Sequence, residues 1–212
     1  MRSWRFHGTG RPLTQDEVEV PRAGPGEVVV DIKAAGLCHS DVGALNASQW
    51  LASFPRIPMT LGHENAGLIS EVGPGMEDWR VGDRVGLAPV MPDGDAIGYG
   101  AWDGGYGPKV RATGANLVRL PQELSFELGA MATDAGITSY HAMVTVGGLK
   151  KGMRVGVIGL GAWVRSARAS PSSKAPRSTP PTSTPPPGST PPRSGWREWP
   201  SPSPSSRTKT CR

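Results

Sequence analysis

The chain has 212 residues, a hydrophobic content of 37% and a formal net charge of +5, which allows one or two domains. The charge and the shortage of apolar residues both come from one end. Arg165–Arg212 has no Leu, Ile, Val, Phe, Met or Tyr, holds 12 of the 22 prolines, and sets nine Lys/Arg against the single acid Glu198. The remainder is mildly acidic, so the overall basicity does not point to a nucleic-acid-binding fold or a membrane-surface protein.

The first 120 residues read as short strands broken by turns. Glu27–Ala35 (EVVVDIKAA) is β-branched and alternating and follows the turn signal Gly24-Pro25-Gly26. Leu61–Val72 alternates less cleanly and ends at Gly73-Pro74-Gly75. Val81–Val85 is a turn entering a strand, and Val110–Ala112 and Asn116–Leu120 are two more strands, the second stopped by Pro121. Turns at this density predict a mainly β fold with some α, built on a partly open β-barrel.

Beyond Pro121 the pattern turns helical. Ser125 is a candidate N-cap with Glu127 in the first turn, and helix is expected over much of Phe126–Val146, ending at Gly147-Gly148. Met153–Ile158 then reads as a short buried strand leading into Gly159-Leu160-Gly161. A helix feeding a strand that ends in Gly-x-Gly is how a dinucleotide-binding unit begins. The proline-rich end cannot bury enough apolar surface to offset the entropy of ordering, and is expected to be disordered. The start, MRSWRFHGTG, lacks the apolar run of a signal peptide, and no stretch reaches the roughly 20 apolar residues of a membrane span. The expectation is a soluble cytoplasmic protein. One of the two cysteines, Cys211, lies in the tail, which argues against a structural disulfide with Cys38.

Two side chains stand out chemically. Cys38 opens Cys38-His39-Ser40-Asp41, and His63 sits in Gly62-His63-Glu64. A thiolate and an imidazole both suit zinc. Taken alone, the pair reads more readily as a buried free thiol and a hydrogen-bonded core histidine. His141 reads as a helix-packing residue, His7 as a surface strand residue, and Trp50 as either pocket lining or core.

The runs AAGLCHSD, GHENAGLISEVGPG, VGDRV, GGYG, DAGITSYHA and VGVIGLG occur in this order. Together they resemble the medium-chain zinc-dependent alcohol dehydrogenases over about residues 1–161. The resemblance implies a GroES-like catalytic domain over 1–123, the start of an incomplete Rossmann cofactor domain over 124–161, and a tail over 162–212. It implies one catalytic zinc on Cys38 and His63, with Asp134 at the position where relatives usually place a cysteine. Glu64 becomes an alternate or fourth ligand. A helix N-cap is the competing reading of Asp134. Ser40 matches the hydroxyl that relays the alcohol proton. Asp41 matches the carboxylate that orients the ligand histidine, and it could also cap the helix after Cys38. His39 matches a contact to the cofactor pyrophosphate. The histidine that often ends the relay falls on Gly43. Met76 departs from the extended zinc signature, which usually has a smaller or β-branched residue there. Gly86–Gly107 holds no cysteine, so no second, structural zinc is expected. The implied reaction is hydride transfer between a small alcohol or carbonyl substrate and NAD or NADP. A zinc-free quinone reductase-like relative fits less well, given Cys38, His63 and Glu64 together.

The cofactor side departs from the family. Gly159 and Gly161 supply two glycines of G-x-G-x-x-G, but Val164 stands at the third and Trp163 precedes it. A branched side chain is expected to clash where backbone must approach a pyrophosphate. No acidic residue follows at the distance needed for the ribose. The chain is therefore expected to be truncated in its cofactor domain, inactive in hydride transfer, and unable to assemble as relatives often do. The alternative is a non-enzymatic barrel scaffold whose basic, proline-rich arm offers polyproline II to SH3- or WW-like partners.

The genetic code supplies a reason for the change. Ala162-Trp163-Val164 reads as GCN-TGG-GTN. One base restored upstream gives xGC-NTG-GGT, which is Gly-Leu-Gly when x is G and N is C or T. That repairs the fingerprint. The hypothesis is that residues 162–212 are out-of-frame translation of a cofactor domain. Resequencing of the DNA around the Ala162 codon is expected to show a single-base loss. An intact frame, with no coding potential in its neighbour, defeats the idea.

Overall fold

A computed structural model describes residues 1–47 and 54–156. Trp50, the two glycines Gly159 and Gly161, Val164 and the whole proline-rich tail lie outside the described residues. The fold is mainly β, arranged as two antiparallel sheets. Strands β1 (Arg2–Phe6), β2 (Thr14–Glu17) and β4 (Met59–Thr60) form a three-stranded sheet in the order β2-β1-β4. Strands β3 (Glu27–Gly36), β5 (Glu64–Val72), β6 (Arg84–Leu87), β7 (Lys109–Thr113) and β8 (Leu117–Arg119) form a five-stranded sheet in the order β7-β3-β5-β6-β8. This second sheet curls around a core of Val28, Val30, Ile69, Val85, Leu87 and Val110. Irregular register in the β3–β5 pair at Val29/Val30 and Ile32/Ala34 bends the sheet, as bulges do. Among the described residues no helix is long and apolar enough to cross a membrane.

The expected strands appear, with shifted ends. The run from Leu61 pairs only from Glu64, because Gly62 takes φ +97° and breaks the strand. Asn116 belongs to a 3₁₀ turn (Gly114–Asn116) rather than to β8. Its amide donates to the carbonyls of Ala88 and Val90 at 2.7 and 3.1 Å, pinning the long loop that follows β6. Val28, Val29 and Val30 are all buried, against the alternating pattern. β3 lies in the interior of the sheet, with barrel core on one face and the helix that starts at Phe126 across the other. Met76 is buried in the core, with its thioether against Gly114, where a Cβ would meet it at 3.1 Å. The glycine makes room for the larger residue.

α2 (Phe126–Met131) starts as expected: the Ser125 hydroxyl accepts the Leu128 N–H at 3.3 Å. The helix then runs through a π-helical turn (Ala132–Gly136), α3 (Ile137–Tyr140) and a second π-helical turn (His141–Val146). It docks through glycines. A Cβ on Gly129 would sit 2.6 Å from Leu120, and one on Gly86 would sit 2.8 Å from Thr133 Cγ2. His141 is exposed, in a shallow groove with Ile137 and Val146, and packs no helix interface. The reason is that this face of the helix has no neighbour among the described residues. The strand expected at Met153–Ile158 is likewise unpaired over its described part, residues 153–156. A lone apolar segment cannot form a strand without a partner edge.

β1 is tied to the loop before β4 by a polar knot. Arg5 Nη1 donates to Thr60 Oγ1 at 3.1 Å and to Asp103 Oδ1 at 2.9 Å, and its Nη2 donates to the Pro58 carbonyl at 2.6 Å. Asp103 also accepts the Thr60 N–H at 2.7 Å and pairs with Arg56 at 3.0 Å. Burial pushes the Asp103 carboxyl up. The Thr60 N–H and the Arg56 and Arg5 guanidinium groups outweigh it and hold the carboxyl below its ordinary value of 3.8. A depressed native value stabilises the fold above 3.8, and the contribution is lost as pH falls through the native value. Asp103→Asn is therefore expected to cost about 1 kcal/mol near neutral pH, allowing for solvent screening. Urea unfolding should show the gap to wild type closing in acid; a gap of constant size at all pH contradicts the assignment.

Candidate metal centre

Three chain segments converge at one end of the barrel. Cys38 ends the β3 loop and caps α1 (His39–Asn46). His63 and Glu64 enter β5. Asp134 hangs from the first π-helical turn, brought down on the barrel by the Gly86–Thr133 approach. One ligand atom from each of Cys38, His63, Glu64 and Asp134 lies within 4.8 Å of every other. All four residues expected as ligands are thus brought together. Asp134 sits inside the helix and not at its N-cap. A π-helical turn widens the helix locally and often marks a functional position.

Electrostatics around the four donors are unbalanced. Burial and then the charge of Asp134 push the Glu64 carboxyl up to about 7. The His63 imidazole holds Asp134 below the ordinary carboxylate range. Burial alone would lower the His63 value, but Asp134, Asp41 and Glu64 together raise it. His63 Nε2 faces Asp134 Oδ2 at 3.5 Å and Ser40 Oγ at 3.5 Å. Its Nδ1 is buried without a hydrogen bond, 3.7 Å from Asp41 Oδ1. A borderline-soft thiol and imidazole beside two carboxylates that repel each other form a site fitted to a divalent cation.

Asp41 caps α1. Its Oδ2 accepts the Cys38 N–H at 2.9 Å, closing the helix cap, while Oδ1 faces the imidazole. Ser40 lines the cleft next to the donors. His39 is exposed at the rim of the same cleft. The cleft encloses about 810 Å³, and its apolar wall includes Ala44, Phe54, Leu61 and Met131. His7 lies just past β1, half-buried and bonded to Asp16 at 2.8 Å, away from the centre.

Two tyrosines escaped the sequence reading. The edge of Tyr99 meets His63 at 88°, with ring centroids 4.9 Å apart. Tyr106 donates to Asp41 Oδ2 at 3.0 Å and to the Gly36 carbonyl at 3.2 Å. Burial first, then neighbouring carboxylates, raises both phenols and keeps them protonated at neutral pH. The one signal for Tyr106 was its place in Gly104-Gly105-Tyr106-Gly107, glycines that allow close backbone contact. Gly36 is equally specific: a Cβ there would lie 2.0 Å from Glu64 Oε2 and 2.9 Å from Glu64 Cβ.

Residues 24–122 match the alcohol dehydrogenase GroES-like domain. An alcohol dehydrogenase of Geobacillus stearothermophilus is 38% identical over 168 residues, covering 71% of this chain and 49% of the relative. The structure of an alcohol dehydrogenase from Aeropyrum pernix superposes with a TM-score of 0.69 at 32% identity, covering 79% of this chain and 54% of that one. A cobalt- and zinc-bound thermostable alcohol dehydrogenase from Pyrobaculum aerophilum gives 0.69 at 25% identity, covering 79% and 55%. The chain carries an alcohol dehydrogenase GroES-like domain. Over that segment it resembles the medium-chain zinc-dependent alcohol dehydrogenases. It spans about half the length of the curated relatives it matches.

The raised Glu64 value gives a sign that can be checked without metal. The native carboxyl keeps a proton that the unfolded chain gives up from its ordinary 4.5 upward. Metal-free protein should therefore lose stability as pH rises from 4.5 through about 7. Glu64→Gln is expected to stabilise the chelator-treated chain by about 1 kcal/mol near neutral pH and to change little in acid. Urea unfolding at the two pH values tests this. Destabilisation by Glu64→Gln near neutral pH would count against a repulsive carboxylate pair.

Proposed function

We propose that the chain is the metal-binding, substrate-side part of a zinc alcohol dehydrogenase-type oxidoreductase. The carrying observation is the set of four donors, Cys38, His63, Glu64 and Asp134, within 4.8 Å of one another beside an apolar cleft. Zinc held there supplies Lewis acidity that lowers the pKa of an alcohol hydroxyl. Asp41 Oδ1 faces the Nδ1 side of His63 at 3.7 Å, leaving Nε2 toward the donors. Ser40 Oγ stands on the Nε2 side of His63 and takes the substrate proton. With Gly43 at the next station, that proton leaves to solvent. Phe54, Leu61 and Met131 keep the cleft dry around a small alcohol or carbonyl compound.

The cofactor side rests on NAD or NADP, met by exposed His39 at the rim and by Gly159 and Gly161. Val164 at the third glycine position weakens that grip in this chain, and hydride transfer is expected to be correspondingly poor. One centre is proposed. No second zinc is assigned to Gly86–Gly107, whose loop is held by Asp95: its Oδ1 accepts the N–H groups of Ala96 and Ala101, each at 2.7 Å.

Equilibrium dialysis of the full chain against zinc should give close to one ion per chain. Cys38→Ala should weaken binding at least tenfold, in line with the loss of a ligand. Titration with NAD should show no micromolar binding. Zinc uptake that is absent, or that is unchanged in Cys38→Ala, overturns the assignment.

A further inference from the structure

The buried His63 Nδ1 reaches only Asp41, and at 3.7 Å the two are not yet bonded. What holds Asp41 in that direction therefore decides how the imidazole is presented. Asp41 is itself buried, and two donors grip it from the side away from the histidine: the Cys38 N–H at 2.9 Å and the Tyr106 hydroxyl at 3.0 Å. Both bind Oδ2. Oδ1 is left facing the ring.

Tyr106 touches two of the three segments that lead into the centre. Its hydroxyl also reaches the carbonyl of Gly36, the last residue of β3, at 3.2 Å. Its ring lies so close to Gly62 that a Cβ there would sit 2.7 Å from Cδ1 and 2.9 Å from Cε1. Gly62 immediately precedes His63. The backbone of Tyr106 is fixed in turn: its N–H donates to the Leu61 carbonyl at 3.0 Å, and its carbonyl accepts the Trp4 N–H at 2.8 Å. Next to it, Gly105 N–H donates to the Gly62 carbonyl at 2.8 Å. A phenol placed by a ring contact and two backbone bonds is a rigid donor with little rotamer entropy left to lose.

We propose that Tyr106 is a positioning residue of the metal centre: its hydroxyl locks the Asp41 carboxylate toward His63 Nδ1, so that the imidazole presents Nε2 to the ion. The inference rests on the metal-centre reading above. It assigns the action to the hydroxyl and separates it from the ring, which only supports Gly62. The substitution Tyr106→Phe isolates that action, because it keeps the ring and deletes the donor.

The probe is Co²⁺ added to the full chain after chelator treatment. Its visible absorption and its thiolate charge-transfer band report ligand geometry directly, and titration gives affinity. Wild type should bind with a thiolate band that Cys38→Ala abolishes. Tyr106→Phe should bind about tenfold more weakly, as for loss of a group that orients a ligand, with altered visible bands and a cooperative urea transition retained in the metal-free state. In an Asp41→Ala background the further change to Phe should cost nothing, since the acceptor it acts on is gone. Wild-type affinity and spectrum in Tyr106→Phe overturn this inference alone. So does an equal loss with and without Asp41, which would mean that the hydroxyl acts only on Gly36. Failure of the wild type to bind Co²⁺ through Cys38 overturns the metal centre, and this inference with it.

Discussion

Two carboxylates crowded against a buried imidazole cannot all ionise comfortably, and the architecture at this end of the barrel follows from that fact. Glu64 is pushed to about 7 while Asp134 is drawn down, although both are the same kind of group in the same cleft. The difference is local. Asp134 has the imidazole as its partner, whereas Glu64 is walled in by the backbone at Gly36 and faces Asp134 as a like charge. A fold selected only for stability would replace such a cluster with apolar side chains. With a thiol as the fourth member, the cluster is one that could hold a metal ion.

The surrounding structure keeps these groups from relaxing apart. Gly36, Gly62 and Gly86 are points where a side chain comes within 3 Å of where a Cβ would be. Each brings one donor segment inward: Glu64 under Gly36, the His63 loop over Tyr106, and the Asp134 turn onto β6. The cost is chain entropy, since glycine loses the most on folding. The compensation is geometric, because three segments distant in sequence are fixed to within a few ångströms. The apolar clusters on either side, Phe6–Met59–Leu61 and the β3–β5–β6 core, are the rigid walls against which those approaches are made.

Much of this was legible in the sequence, and the illegible parts share a cause. Cys38, His63 and Glu64 announce themselves by residue type and by a motif, and Asp134 by its place in the chain order. β3, β5 and β7 announce themselves by β-branched runs between glycine turns. What could not be read depends on partners far away in sequence. Tyr106 looks like any aromatic in a glycine loop until Asp41, 65 positions earlier, is placed beside it. The π-helical turn at Ala132–Gly136 leaves no mark on helical periodicity, although it aims Asp134. The strand expected at Met153–Ile158 is unpaired over its described part, residues 153–156, for the complementary reason. Its residues suit a strand, but pairing needs an edge, and none of the described residues provides one. The exposed His141, Ile137 and Val146 on the same helix tell the same story.

The donor set also straddles a structural division. Cys38, His63 and Glu64 belong to the barrel, and Asp134 belongs to the helix that leads away from it. An ion bound by all four would tie the helix to the barrel, so binding energy and helix docking become one quantity. Without an ion, the helix is held on the barrel by packing, with Gly129 on Leu120, Thr133 on Gly86 and Arg84 stacked over Phe126 at 4.0 Å, and by the His63–Asp134 pair at 3.5 Å. These contacts all lie before Gly136. Beyond Gly136 the exposed face has no neighbour among the described residues. Metal occupancy should therefore be felt most in the segment from Ala132 onward and least in β3 and β5, whose ladders are complete without it.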